Sequence, residues 1–177
     1  MPSATDHAAS FRALYERHRD DVWRFLRRRA DHHAAEDLTT EVFVVAWRRR
    51  AELPDEPLPW LYGVAHKVLA NHRRGAGRAA ALAVKAAQHA VTSSADHADL
   101  VHVRADLAEA LAQLPPQDRE VLLLSAWEGL TSNEVATVLG IRASAARVRL
   151  HRARKRLRAT LATHDPALHL TTLEPTR

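Results

Sequence analysis

Residues 130–157 constrain the fold more than any other stretch, because they contain two helical patterns separated by a single glycine. The first pattern can open at Thr131 or Ser132, and Glu134 is placed to complete a capping box with Thr131. Gly140 can adopt the left-handed backbone conformation that ends a helix. A helix, a short turn that contains glycine and a second helix together predict a helix-turn-helix.

The second helix, which Ser144 can cap, is amphipathic and strongly basic. At about 100° per residue, its inward face is predicted to comprise Ala146, Leu150, Ala153 and Leu157. Its outward face is predicted to comprise Val148, His151, Arg152 and Lys155. Its flanks are predicted to comprise Arg147, Arg149, Arg154, Arg156 and Arg158.

No acidic residue occurs in this second helix between positions 147 and 158. Like charges at i and i+4 repel each other, and a bound polyanion would remove that repulsion. A basic run can be merely the solvated face of an ordinary amphipathic helix, but uncompensated arginine at this density favours nucleic acid. We therefore predict a helix that enters the major groove, with outward side chains on base edges and flanking arginines on phosphates.

The composition agrees with this prediction. The chain has 177 residues and a formal net charge of +5, from 26 Lys and Arg against 21 Asp and Glu, which favours a polyanionic partner. It contains no cysteine, so disulfides and thiolate metal sites are excluded. Ala, Leu and Arg dominate and glycine is scarce, so we expect an all-α fold. Because there is no run of about 18 apolar residues and no signal-peptide core, we expect a cytoplasmic protein without membrane association.

Three further amphipathic helices are predicted in the first half of the chain, over residues 11–30, 34–50 and 60–74. The second of them has Glu36 and Asp37 in its first turn and a run of arginines in its last turn, which matches the helix dipole. Residues 51–59 hold three prolines and three acids and are predicted to form a loop.

Changes in composition divide the chain into domains. An alanine-rich stretch that begins at Gly75 is predicted to be a flexible linker, partly helical over residues 79–90 because alanine favours helix. The predicted ranges are an N-terminal domain over 8–74, the linker over 75–104, a C-terminal domain over 105–161 and a mobile tail over 162–177.

No catalytic site is predicted. The carboxylates Glu36, Asp37 and Glu41 share a solvated helix with no nucleophile or ligand set beside them, so they fit a basic partner surface better than acid–base catalysis. The His32-His33 pair has no obvious third ligand nearby, and the HExxH pattern of a metalloenzyme is absent despite twelve histidines. We therefore expect no enzymatic activity, no cofactor and no metal.

Both halves of the chain resemble the extracytoplasmic-function (ECF, group 4) sigma factors of bacterial RNA polymerase, in the sigma-70 family. The resemblance covers roughly residues 11–161 and rests on four blocks in order. Residues 34–50 look like the helix that binds the polymerase clamp, residues 59–74 like the helix for the −10 element, and residues 107–141 with the following basic helix like the −35 domain. A lone helix-turn-helix is shared by many repressors, whereas these four blocks with a linker between the second and third are specific.

The resemblance implies two small helical domains, a region 2 bundle and a region 4 helix-turn-helix, joined by a flexible linker. The implied polymerase-binding residues are Asp37 and Glu41. The implied −10 residues are His66, Lys67, Asn71, Arg73 and Arg74, and the loop over residues 51–59 would hold a flipped base. The implied −35 residues are Arg142, Ser144, Arg147, Val148, Arg149, His151, Arg152, Lys155 and Arg156.

The implied function is to direct RNA polymerase core to specific promoters for transcription initiation, while the polymerase supplies the chemistry. The implied partners are the polymerase core, through its β′ clamp and β flap, promoter DNA and an anti-sigma factor. A stand-alone helix-turn-helix transcriptional regulator is the alternative. It would need a dimer interface or a ligand pocket, and it does not explain the acidic helix over residues 34–50.

Overall fold

The computed structural model describes residues 4–83 and 107–164, and every regular element in those two ranges is a helix. The predicted all-α fold is therefore confirmed. The elements are α1 (Ala4–Arg27), α2 (His32–Arg48), a 3-10 helix (Arg50–Glu52), α3 (Leu58–Ala83), α4 (107–113), α5 (Pro116–Ala126), α6 (Ser132–Leu139) and α7 (Ala143–His164). By their contacts they form two compact units, which include residues 4–83 with 136–141 and residues 107–135 with 142–164. Below, α1–α3 are called the N-terminal unit and α4–α7 the C-terminal unit. Residues 84–104 of the predicted linker and residues 165–177 of the predicted tail lie outside the described residues.

In the N-terminal unit, α1, α2 and α3 pack against one another around large side chains. Phe25 of α1 is fully buried and stacks on Tyr62 of α3, with the ring centroids 4.9 Å apart. The other buried apolar residues of the three helices are Val22, Leu26, Ala35, Leu38, Val42, Phe43, Ala46, Leu61, Val64, Ala65, Val68 and Leu69.

The start of α2 differs from the prediction. The helix begins at His32 because the side chain of Asp31 accepts a hydrogen bond from the backbone N–H of Ala34 at 2.9 Å and so acts as N-cap. That hydrogen bond also lowers the pKa of Asp31. The two histidines therefore belong to the first turn rather than to a connection. Glu36 and Asp37, which were predicted to lie in the first turn, lie beyond it.

Helix α3 is longer than predicted at both ends. It begins at Leu58, so Pro59 lies in its first turn, where the missing N–H of proline costs no intrahelical hydrogen bond. It continues past Arg74 to Ala83, so the first residues of the predicted linker are helical. The alanines at positions 79–81 explain this extension, since their helix propensity outweighs the cost of the two nearby glycines.

In the C-terminal unit, α5 packs against α7. Its fully buried side chains include no aromatic ring, unlike Phe25 in the N-terminal unit, and they are Ala110, Val121, Leu124, Val135, Val138, Ala146 and Ala153. Two of them, Ala146 and Ala153, belong to α7, so part of the buried side of this helix consists of small side chains.

Arg119 connects α5 to the C-terminal end of α4. Its guanidinium donates hydrogen bonds to the carbonyl oxygens of Leu111 and Ala112, both at 2.7 Å, and to that of Leu114 at 3.3 Å. The last carbonyls of a helix have no intrahelical partner. Arg119 therefore caps the C-terminal end of α4, where the following prolines stop the helix.

Candidate nucleic-acid and polymerase interfaces

The predicted turn geometry of the helix-turn-helix is observed at both ends of α6. The backbone N–H of Thr131 donates to Oε2 of Glu134 at 2.7 Å, and the backbone N–H of Glu134 donates back to Oγ1 of Thr131 at 3.4 Å. At the other end, Gly140 has φ of +64°, and the N–H of Ile141 donates to the carbonyl oxygen of Ala136 at 3.0 Å. The capping box and this glycine turn fix where α6 begins and ends, and so the direction in which the chain enters α7.

The prediction that Ser144 caps α7 is wrong. The helix begins at Ala143, and the backbone N–H of Ala146 donates to the carbonyl oxygen of Arg142 at 3.0 Å, so the cap position falls on Arg142. After the turn at Gly140, the backbone is already helical at Ala143, one residue before Ser144. Ser144 is instead an exposed residue of the first turn.

Helix α7 has the two faces that its spacing predicts. Ala146 and Ala153 are fully buried and Leu150 is nearly so, while Leu157 is half-buried. The exposed residues on the opposite side are Ser144, Val148, His151, Arg152, Lys155 and Arg158. The burial of alanines on one side therefore presents a cationic surface on the other, and we call these six residues the outward face of α7.

Two arginines that were predicted on the flanks of α7 contact α5. Arg156, which was counted among the DNA-binding residues, forms an ion pair with Asp118, whose carboxylate is buried near the start of α5. Arg154 donates to Oγ of Ser125 at 3.4 Å. Within the described part of the chain, no carboxylate pairs with Arg147, Arg152 or Lys155.

The acidic residues of α2 lie in solvent. Asp37 and Glu41 are exposed and stand one helical turn apart. Val44, one turn further on, is 43% exposed, which places an apolar side chain on the same side of the helix. Sequence reasoning missed Val44, because it looked for apolar residues on the buried side only. We call Asp37, Glu41 and Val44 the acidic face of α2.

The polar and basic residues of α3 fall into two groups, those on one exposed side of the helix and one that contacts the chain after α1. Lys67, Asn71 and Arg74 are exposed at spacings of four and three residues, so they share one side of the helix, and the guanidinium of Arg74 donates to the side-chain oxygen of Asn71. Arg73 instead donates to the carbonyl oxygen of Arg29 at 2.9 Å, where it ties α3 to the end of α1. His66 is half-buried.

The loop predicted over residues 51–59 is shorter in the structure. Its first residues form the 3-10 helix, and residues 53–57 connect this helix to α3. The guanidinium of Arg49 pairs with Glu52 and lies 5.6 Å from the ring centroid of Trp60. This ion pair raises the pKa of Arg49 and lowers that of Glu52, so both groups are charged at neutral pH.

Among residues 4–83 and 107–164, no group of three or more His, Asp or Glu side chains is arranged to hold a metal ion. None of the helices in these two ranges combines the length and the apolar character needed to cross a membrane.

Comparisons with known proteins match both units. The family model of Sigma-70 region 2 matches residues 14–79, and that of Sigma-70 region 4 matches residues 104–157. The ECF RNA polymerase sigma factor SigL of Mycobacterium tuberculosis is 34% identical over 164 residues, which span 90% of this chain and 93% of that protein. The chain belongs to the ECF sigma factors.

Further relatives agree with this assignment. The RNA polymerase sigma factor CarQ of Myxococcus xanthus is 34% identical over 155 residues, which span 86% of this chain and 89% of that protein. Among solved structures, the sigma factor RpoE of Bartonella quintana, in complex with the anti-sigma factor NepR, has a TM-score of 0.65 at 21% identity and covers 88% of this chain and 99% of its own. CnrH, in complex with the cytosolic domain of CnrY, has a TM-score of 0.60 at 24% identity and covers 89% and 91%. These two structures share the fold.

This sigma factor directs RNA polymerase to promoters for transcription initiation. The helix-turn-helix of α6 and α7 lies in the part of the chain that matches region 4, and the acidic face of α2 lies in the part that matches region 2.

Proposed function

We propose that this sigma factor divides promoter recognition between its two units. The outward face of α7 reads the −35 element, the exposed side of α3 follows the −10 strand, and the acidic face of α2 docks on the β′ clamp of the polymerase. The observation that carries the proposal is the outward face of α7, where Arg152 and Lys155 have no carboxylate partner among the described residues and stand opposite the buried Ala146, Leu150 and Ala153. A helix of this kind fits the major groove.

On the −35 element, Val148, His151 and Arg152 of the outward face are proposed to reach the base edges. Arg152 can make a bidentate contact to guanine, and His151 lies beside it. The proposed phosphate contacts and flanking contacts come from Arg142, Ser144, Arg147, Arg149 and Lys155. Arg156 is not proposed to contact DNA, because its guanidinium forms an ion pair with Asp118.

On the −10 element, Lys67, Asn71 and Arg74 form one exposed polar line along α3. Such a row of side chains suits single-stranded DNA, because cationic side chains can contact successive phosphates of its backbone while its bases are unstacked. The loop over residues 53–57 stands next to the start of this helix and is proposed to hold a flipped base. Arg73 is proposed to stabilise this surface, because its guanidinium donates a hydrogen bond to the carbonyl oxygen of Arg29, just after α1.

At the polymerase, the acidic face of α2 offers two carboxylates and one exposed valine. This combination fits a basic partner helix with an apolar strip, since opposite charges steer the encounter and a small apolar contact excludes water. The C-terminal unit is proposed to contact the β flap. The sigma factor RpoE of Bartonella quintana, which shares this fold, was solved with the anti-sigma factor NepR bound. An anti-sigma factor is therefore proposed as the regulator of this chain too.

The chain itself is proposed to catalyse no reaction. Its task is to position the polymerase and to capture melted bases, while the polymerase forms the phosphodiester bonds. A protein with this task acts in the cytoplasm, where bacterial RNA polymerase works.

The test is charge reversal on α2. We expect Asp37→Arg combined with Glu41→Arg to weaken binding to polymerase core at least about tenfold, because two attractive charges become repulsive at the interface. Helicity should not change, since both positions are exposed. The measurements are gel filtration with core polymerase for binding and circular dichroism for folding.

The matched control lies on α1. Glu16 and Asp20 are exposed carboxylates that are also one turn apart, with side chains 68% and 74% accessible. Their reversal to arginine changes the net charge equally and should leave core binding intact. Normal holoenzyme assembly by the α2 double variant would refute the polymerase assignment. Tight, sequence-selective duplex binding by the free chain would favour the stand-alone regulator instead.

A further inference from the structure

One apolar side chain lies in the middle of the cationic outward face of α7. Val148 is 50% exposed, and at about 100° per residue it stands almost opposite the buried Ala146 and Leu150. The other members of the face near it, His151, Arg152 and Lys155, are all polar.

Neither helix formation nor packing explains this valine. Valine has a lower helix propensity than alanine and arginine, the commonest residues of α7, because its branched Cβ loses rotamer freedom in a helix. It does not reach the core, since half of its surface is accessible. An exposed apolar group contributes free energy only when a partner covers it with another apolar group.

The major groove offers one apolar group on its base edges, the C5-methyl of thymine; the other groups there are hydrogen-bond donors and acceptors. We propose that Val148 contacts a thymine methyl in the −35 element and so determines specificity at that base pair. This inference rests on the proposed placement of α7 in the −35 major groove. In a helix the valine side chain holds one χ1 rotamer, so little rotamer freedom is lost when the methyl is covered.

The position of Arg152 restricts where this thymine lies. Four residues of α-helix rise about 6 Å, which is nearly two base-pair steps of about 3.4 Å. The thymine is therefore within about two base pairs of the guanine proposed for Arg152, on either strand. The expected −35 element contains both bases at that separation.

The experiment removes the methyl without changing base pairing. The −35 element is first identified from the 5′ ends of transcripts made by the holoenzyme, and each thymine in it is then replaced by deoxyuridine on synthetic promoters. We expect one replacement to lower holoenzyme binding about fourfold, which corresponds to roughly 0.8 kcal/mol for one buried methyl-sized group. With Val148→Ala, binding to the unmodified promoter should fall by a similar factor and the same replacement should cause no further loss.

Leu107→Ala provides the matched control, because Leu107 is a 40% exposed apolar residue of the C-terminal unit outside α7. This variant should keep the full response to deoxyuridine. If binding depends on the −35 sequence but no thymine is sensitive, or if Val148→Ala responds as the parent does, the inference about Val148 is overturned while the proposed function stands. Binding that does not depend on the −35 sequence would overturn the proposed function itself, and the inference with it.

Discussion

The two units of this sigma factor are stabilised in different ways. The N-terminal unit buries large side chains such as Phe25, Leu26 and Leu61, which belong to α1 and α3. The described core of the C-terminal unit holds leucines, valines and alanines but no aromatic ring, and three polar features supplement it: the Arg156–Asp118 ion pair, the Arg119 contacts to carbonyl oxygens, and the capping box of α6.

This difference follows from what each unit is proposed to bind. A helix that enters a groove must stand clear of the domain, and the buried side of α7 holds two alanines besides Leu150 and the half-buried Leu157. Alanines bury little apolar area, and hydrophobic stabilisation is roughly proportional to that area. Directional polar contacts such as the Arg156–Asp118 ion pair therefore add to the apolar contacts between α7 and α5.

The largest expected effect is in the N-terminal core. Phe25→Ala should lower the free energy of unfolding of that unit by about 3–5 kcal/mol, because it leaves a cavity beneath the stacked ring of Tyr62. Urea unfolding combined with hydrogen exchange resolved by peptide over residues 20–70 measures it. The exposed Val44→Ala on α2 should change the same quantity by less than about 0.5 kcal/mol. A loss below about 1 kcal/mol for Phe25→Ala would contradict the contrast between the units.

A smaller effect is expected where α7 meets α5. Arg156→Ala should destabilise the C-terminal unit by about 1–2 kcal/mol, because it removes the charged hydrogen-bond partner of the buried Asp118. Hydrogen exchange in α5 and α7 reports the change.

Arg152→Ala is the matched variant four residues away. Its side chain is exposed, so stability should be unchanged, but discrimination at one −35 base pair should fall by about 1–3 kcal/mol. Equal loss of activity on matched and mutated −35 elements would contradict base reading by Arg152. For Arg156→Ala, hydrogen exchange in α5 and α7 equal to that of the parent would show that the ion pair does not stabilise the packing of α7 on α5.

The smallest effect concerns a buried polar group in the N-terminal unit. His18 is 8% exposed, its Nδ1 has no hydrogen-bond partner among the described residues, and the nearest carboxylate oxygen, on Asp21, is 4.0 Å away. Burial, assisted by the charge of Arg17 and opposed by Asp21 and Glu56, lowers the pKa of His18 from its ordinary value of 6.5. The folded state therefore binds a proton less readily than the unfolded state.

Stability from this group is present above about pH 6.5 and is lost as the pH falls from there toward the lower pKa of the folded state. The free energy of unfolding of the N-terminal unit should decrease more between about pH 7.5 and pH 5.5 in the parent than in His18→Gln, which cannot titrate. Parallel pH profiles for the two proteins would show that His18 does not contribute.

Local patterns account for most of what could be predicted. The helix-turn-helix follows from Thr131, Glu134 and Gly140, because a capping box and a left-handed glycine act over three or four residues and need no distant partner. The two faces of α7 follow from a helical period of 3.6 residues. The family follows from four such local blocks in a fixed order, which the comparisons bear out.

Helix ends were less predictable, since several capping solutions compete within a few residues. Asp31 starts α2 two residues before the predicted position, and Arg142 takes the cap position that Ser144 was expected to fill. A side chain with capping ability is not sufficient when the backbone already enters the helix two residues earlier.

The amino-acid sequence by itself determined that the fold of the described residues is all-α, that the second helix of the helix-turn-helix is strongly basic, and which side of that helix faces outward. Only the tertiary structure decided how individual charges are used. Arg156 is bound to Asp118, 38 residues away, and Arg73 to the carbonyl oxygen of Arg29, 44 residues away, whereas Arg152 is left exposed. The reason is physical: periodicity assigns a residue to a side of its own helix, but a hydrogen bond requires two atoms within about 3 Å, and that distance depends on how separate helices pack.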